Sequence, residues 1–351
     1  HVRTGLGARS TAMILAEGAA LEMAGRTDEA RMLYAEFAGD RDIDSAAARL
    51  ASGEAPPLPV ADPEEGAADV LFTMAGLIGR EGDSRSAIAH ARLAVYLQPD
   101  LEAATLMIAS RFSGEGNHEL AARTLAAIPA DSANAVRAEI GRAEALEALE
   151  RRDEAVALMQ RLRDAHPADP DVAITLGDVL RRGEDWAPCA DAYDAAIALL
   201  AERDRESWVL YYQRGICLER ADLWERAEDD FLKALEMEPE QPFVLNYLGY
   251  SWVEMGRNLD RAKAMIERAV EQEPENGYIT DSLGWVLYRL GDYEGAVEWL
   301  EKAVELAPVD PVINDHLGDA LWMVGRRLEA RFQWKRARSF DPEPDELARI
   351  N

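Results

Sequence analysis

The sequence repeats itself at a spacing of 34 residues, and that recurrence constrains the fold more than any other feature. Leu283, Gly284, Leu287, Gly291, Ala296, Ala303 and Pro308 return as Leu317, Gly318, Leu321, Gly325, Ala330, Ala337 and Pro342. One copy earlier stand Gly249, Ala262, Ala269 and Pro274, with one extra residue in the turn, and before them Gly215, Ala227, Phe231, Ala234 and Pro239. Weaker copies hold Gly177, Cys189 and Tyr193; Ala143, Ala155 and Pro167; Ala109, Ala121 and Leu125; Ala75, Ala87, Ala94 and Pro99; and Gly18, Ala30 and Tyr34. This gives nine units, beginning near residues 11, 68, 102, 136, 170, 208, 242, 277 and 311. A unit this short cannot bury its own apolar face, so such chains stack neighbouring units into one continuous core.

Each unit has the pattern of two amphipathic helices. The small residue on the first helix (Gly249, Gly284, Gly318) is expected to face the small residue on the second (Ala262, Ala296, Ala330), letting the axes approach. The proline that ends most units cannot continue a helix and sets the turn into the next one. Composition agrees: 48% of residues are hydrophobic but only 7% aromatic. Ala, Leu, Glu and Arg are frequent while β-branched runs are scarce, which excludes an all-β or doubly wound fold.

This pattern resembles the tetratricopeptide repeat (TPR) family over nearly the whole chain. The resemblance implies an all-α, right-handed superhelix, an α-solenoid of about nine helix-turn-helix repeats. Residues 1–41 read as an N-terminal TPR-like hairpin. Residues 42–67, from Asp42 to Gly66, read as an extra short helix and a Pro-rich loop whose end is expected not to be helical. Residues 68–207 form a degenerate array, in which Ala75 and Ala109 stand where Gly is usual. Residues 208–342 match well, and residues 343–351 look like the start of a capping helix. Because the chain opens at His1, it is read as a fragment or a mature form.

The chain carries 38 basic against 66 acidic residues, a formal charge of −28. Such a surface repels phosphate backbones and anionic headgroups, which excludes nucleic acid and membrane as the main partner. No stretch approaches the roughly 18 apolar residues of a transmembrane span. Two cysteines are too few for a disulfide framework. Cys189 fills an Ala position and reads as a small buried hydrophobe; whether it pairs with Cys217 stays open.

Nothing in the sequence is equipped for catalysis, and no cofactor or metal is expected. No two of the five histidines lie at the i, i+4 spacing of a helical metal pair. Asp315, His316 and Asp319 are the strongest local cluster and read as helix-surface polarity. The segments Gly5–Gly7 and Gly114–Gly116 follow no strand and read as turns, not nucleotide loops. Ser251 lacks the strand-turn-helix setting of a nucleophile elbow.

The aromatics, by contrast, are concentrated: 18 of 25 follow residue 207. Tyr211, Phe231, Trp252 and Trp334 fill large packing slots, and Trp224 and Tyr293 seal inter-helix turns. The resemblance places positions 2, 5, 9 and 12 of each unit on the inner, concave surface. Carried onto this sequence, those positions line a groove with Tyr212, Phe243, Tyr250, Tyr278, Trp285, Tyr288 and Trp322. Asn246, Asp281, Asp315 and Asp319 stand among them. Rings with polar tips are the substance of interface hot spots, and Asn and Asp hydrogen-bond an extended backbone. The bland alternative is that these rings pack only against one another. The cation-based carboxylate clamp of chaperone-binding TPR domains is not expected, because Tyr212, Asn246, Tyr250 and Asp281 occupy its positions.

The expected function is a non-enzymatic scaffold or adaptor that binds a polypeptide in this groove. Asn246–Gly256, Thr280–Gly291 and Asn314–Ala337 also resemble long TPR proteins of Gram-negative bacteria, some of them envelope lipoproteins that hand substrates to a carboxyl-terminal processing protease. That likeness implies a periplasmic or outer-membrane-anchored adaptor. A cytoplasmic regulatory TPR scaffold and an accessory domain of a larger enzyme stand beside it as alternatives. One basic cluster, Arg326, Arg327, Arg331, Lys335, Arg336 and Arg338, breaks the acidic trend; it suits either a capping face or an acidic partner.

Overall fold

The computed structural model describes residues 11–39, 41–56, 62–202 and 206–350, and among them all regular structure is helical. The chain forms two compact units, His1–Ala145 and Leu146–Asn351. The segment Gly5–Gly7 and the stretch 57–61 lie outside the described residues.

In the first unit α1 (Thr11–Met23) and α2 (Thr27–Glu36) form a hairpin, and α3 (Arg41–Ser52) packs on both. Next come the hairpins of α4 (Pro63–Arg80) with α5 (Ser84–Leu97) and of α6 (Glu102–Gly114) with α7 (His118–Leu125), then α8 (Ala135–Ala148). The helix in the insertion is α3. The end of the insertion corrects the sequence expectation, because Pro63 to Gly66 are the first turn of α4. A proline has no N–H to lose at the first helical position. Asp62, the residue before it, accepts hydrogen bonds from the N–H groups of Glu64 and Glu65, both at 2.9 Å.

The second unit continues with α9 (Arg152–Ala165), then α10 (Pro170–Arg182) with α11 (Trp186–Ala201) and α12 (Trp208–Arg220) with α13 (Trp224–Met237). Three further hairpins follow: α14 (Pro242–Glu254) with α15 (Leu259–Gln272), α16 (Gly277–Leu290) with α17 (Tyr293–Leu306), and α18 (Pro311–Met323) with α19 (Arg327–Ser339). The short α20 (Pro344–Ile350) lies against α18 and α19. From α10 onward each hairpin packs internally and on its successor. Pro170, Pro242 and Pro311 each open a helix behind a capping side chain, Asp169, Gln241 and Asp310.

The spacing of small residues has a more specific cause than expected. A Cβ on Gly18, Gly177, Gly215, Gly249, Gly284 or Gly318 would lie 3.0 Å or less from a side-chain atom of Tyr34, Tyr193, Phe231, Ile266, Leu300 or Trp334 respectively. The glycine on the first helix therefore makes a hole for a large side chain on the second. That side chain sits one turn beyond the small residue first expected to face the glycine. Filling such holes with fully buried Phe231 or Tyr193 contributes about 1.5–3 kcal/mol per side chain. Several of these residues also reach back with a polar tip: the Tyr193 hydroxyl donates to Asp178 at 2.6 Å and Trp334 Nε1 to Asp319 at 3.1 Å.

Cys189 on α11 and Cys217 on α12 are joined by a disulfide, their Cα atoms 6.0 Å apart and both side chains fully buried. The bond ties one hairpin to the next, at the entrance to the segment richest in aromatics.

Candidate functional site

In the second unit the first helices of four hairpins, α12, α14, α16 and α18, line one groove of about 590 Å³. Their repeated spacing places Glu219, Asn246, Tyr250, Tyr278, Asp281 and Val312 along it. Of the residues singled out in the sequence, Asn246, Tyr250, Tyr278 and Asp281 come together here. Tyr278 is the most open, 63% exposed. Burial pushes the Tyr250 phenol up, with the nearby Glu254 and Asp281 carboxylates adding to it, so the hydroxyl stays a donor across the physiological range.

The groove also holds two aromatics that the sequence did not assign to it, Trp224 and Tyr247. Tyr247 donates to Glu219 at 3.1 Å and stacks edge-on with Tyr212, ring centroids 6.0 Å apart. Trp224 was placed as a hairpin seal. Its position at the start of α13 lets it do that and still face the groove, which periodicity along a single helix does not reveal.

Among the described residues, two buried polar atoms on groove residues have no hydrogen-bond partner: Trp224 Nε1, a donor, and Asn246 Oδ1, an acceptor. Leaving such a group unpaired costs about 1–3 kcal/mol. The lining carries five carboxylates, Glu219, Asp222, Glu254, Asp281 and Asp310, against the single guanidinium of Arg220.

The remaining candidates fall elsewhere in the same unit. Tyr212 is half-buried among Trp208, Phe231 and Tyr247, and burial raises its phenol. Phe243 is exposed and lies outside the groove lining. Trp285 is 7% exposed: its Nε1 donates to Glu254 at 2.6 Å, and its ring stacks on His316 at 3.9 Å and on Tyr288 at 4.8 Å. Trp322 packs on Trp334 with Arg327 over its face.

The cluster around His316 is not surface polarity. His316 is 0% and Asp315 2% exposed. Nδ1 of His316 donates to both oxygens of Asp281 at 3.0 Å, and Asp315 pairs with Arg349 of α20 at 2.9 Å. Burial raises the carboxyls of Asp315 and Asp319 despite those neighbours. Asp281, Asp315 and Arg349 lie 34 residues apart on α16, α18 and α20, and each buried acid is met by a group from the next of these helices, Asp281 by His316 and Asp315 by Arg349. Among the described residues no cluster of His, Cys, Asp and Glu could hold a metal ion, and no helix is long and apolar enough to cross a membrane.

A second cavity, of about 1030 Å³ in the first unit, is lined by residues from Phe72 to Glu144 and holds one aromatic ring against four in the groove.

Comparisons with known proteins support the helical reading. A tetratricopeptide repeat profile matches residues 249–311. No curated protein matches the chain. Among solved structures, a tetratricopeptide repeat protein from Parabacteroides merdae ATCC 43184 aligns at a TM-score of 0.52 and 13% identity, covering 81% of this chain and 97% of its own. A chain of the APC/C hetero-tetramer Cut9–Hcn1 aligns at 0.57 and 13% identity, covering 96% of this chain and 75% of its own. With the paired helices, the glycine holes and the 34-residue register, these findings make the chain an all-α protein that carries tetratricopeptide repeats and is built on their fold.

Proposed function

We propose that the chain is a non-enzymatic scaffold that binds a polypeptide segment in the groove formed by α12, α14, α16 and α18. The observation that carries this reading is a groove lined by four aromatic rings, Trp224, Tyr247, Tyr250 and Tyr278, with Asn246 and five carboxylates among them. A bound segment covers Tyr250 and Tyr278. Because the rings stand on packed helices, little ordering entropy is lost on binding. The surplus of carboxylates favours a basic or neutral segment over an acidic one. Tyr212, Phe243, Tyr288, Asp319 and Trp322 extend the recognition surface, whereas Trp285, Asp281 and Asp315 hold it in shape. A finer role, delivery of substrates to a carboxyl-terminal processing protease at the cell envelope, rests on the resemblance of Asn246–Gly256, Thr280–Gly291 and Asn314–Ala337 alone.

The test is a peptide-display selection against the wild-type chain, with the selected peptides measured by fluorescence anisotropy on Asn246→Leu and on the double variant Tyr250→Ala/Tyr278→Ala. Each is expected to weaken binding roughly tenfold or more with unchanged far-UV dichroism. Equal affinities for wild type and both variants would remove the groove from recognition.

A further inference from the structure

The outer face of α19 differs from the same face of the hairpins before it. Leu328 and Phe332 stand at the register positions held by Glu225 and Asp229 on α13, Asp260 and Ala264 on α15, and Glu294 and Glu298 on α17. All of these positions face solvent, and Leu328 and Phe332 are 70% and 61% exposed. One turn further, Lys335 replaces Glu267 and Glu301, and an exposed Arg338 replaces the buried Val270 and Val304. At 100° per residue, positions 328, 331, 332, 335 and 338 fall on one stripe of the helix. The stripe thus has an apolar flank, Leu328 and Phe332, bordered by Arg331, Lys335 and Arg338.

Half of the basic cluster is already engaged within the fold. Arg326 pairs with Glu301 at 2.8 Å and with Glu329, Arg327 lies over the Trp322 ring at 5.0 Å, and Arg336 donates to the Pro308 carbonyl at 2.8 Å. Among the described residues, Arg331, Lys335 and Arg338 have no such carboxylate or carbonyl partner. A single exposed apolar side chain is ordinary. Two of them one turn apart, at positions that are acidic on α13, α15 and α17 except for Ala264, and framed by three cations without a carboxylate partner among the described residues in a chain of net charge −28, form a built surface.

We infer that this stripe docks an acidic amphipathic polypeptide segment, whose apolar side chains cover Leu328 and Phe332 and whose carboxylates pair with Arg331, Lys335 and Arg338. Charge complementarity selects the occupant. A second copy of this chain offers carboxylates on the outer faces of α13, α15 and α17, but no large apolar side chain at the same positions. An anionic lipid surface would have to meet the exposed Glu294, Glu298 and Glu305 of the neighbouring α17 as well, whereas a peptide need cover only α19. Docking here is independent of the groove.

The test uses the full chain and a labelled helical peptide carrying Leu and Phe one turn apart with Glu around them. Its twin replaces Glu by Lys, and phosphatidylcholine vesicles with phosphatidylglycerol probe lipid. The acidic peptide is expected to bind wild type and Tyr250→Ala alike, to weaken with added salt, and to lose roughly tenfold or more on Leu328→Glu/Phe332→Glu and on Arg331→Glu/Lys335→Glu. These variants change only exposed side chains, and their melting curves report whether the helix persists. No binding of the acidic peptide to wild type, equal binding by the variants, tighter binding of the Lys twin, or preference for the vesicles would each overturn the proposal.

Discussion

His316 Nδ1 lies 3.0 Å from both carboxylate oxygens of Asp281, a residue 35 positions earlier on the first helix of the preceding hairpin. The bond crosses between hairpins inside the protein, roofed by the Trp285 ring. Asp281→Ala leaves that N–H buried without an acceptor, so it is expected to cost about 1–3 kcal/mol in urea denaturation. Tyr278→Ala, one turn away but exposed, should stay within about 0.5 kcal/mol. Equal losses would mean that the pair is not part of the folded framework.

The glycine holes make opposite predictions for one substitution. Gly284→Ala puts a Cβ 2.5 Å from Leu300 Cγ and is expected to destabilise by about 1–3 kcal/mol. Gly76→Ala, inside α4, meets only Met107 Cε at 3.7 Å, an ordinary contact. It should stabilise by about 0.5–1 kcal/mol, because alanine loses less backbone entropy in a helix. Thermal unfolding of the two single variants decides both.

Acid should act in opposite directions on two partly buried carboxyl groups. Glu22, held by Arg49 at 2.7 Å and by the Tyr34 hydroxyl, titrates below its usual value of 4.5. Its stabilisation is present above about 4.5 and is lost as pH falls through the lowered value, since the unfolded chain then binds the proton first. Asp319 titrates above its usual 3.8 because it is partly withdrawn from water. There the native state binds the extra proton, so stability falls as pH rises through the raised value. At pH 7 Glu22→Gln should therefore lower the melting temperature and Asp319→Asn raise it, with both differences shrinking toward pH 3.

The disulfide predicts that the unfolded, unreduced chain has no titratable thiol, since Cys189 and Cys217 are its only cysteines. Cys189→Ala/Cys217→Ala should cost about 3 kcal/mol by freeing the intervening loop in the unfolded state. A free-thiol assay in guanidinium, with and without reductant, checks the first part; denaturant melts check the second.

How much of this was legible in the sequence depends on how far apart the interacting residues lie. The hairpins follow from Gly, Ala and Pro spacing within 34 residues. Pro63 was misleading because a proline that breaks a helix interior also opens a helix well, and only the capping Asp62 separates the two cases. Asp315, His316 and Asp319 read as surface because their stretch is polar in isolation; what buries them comes from the neighbouring helices, through Trp285, Asp281 and Arg349. Four groove residues, Asn246, Tyr250, Tyr278 and Asp281, were found by register. Trp224 and Tyr247 were not, since they reach the groove from the start of a second helix, α13, and from between two register positions.

The tie between α11 and α12 also bears on how the protein responds to force. An array pulled from its ends yields hairpin by hairpin, and each residue released adds up to roughly 3.6 Å of contour. The stretch between Cys189 and Cys217, a separation of 28 residues, cannot be paid out while the bond is closed. About 100 Å of extension is thus withheld until a reductant arrives, which makes the hairpin junction at the entrance to the aromatic segment a mechanical stop that redox chemistry can remove.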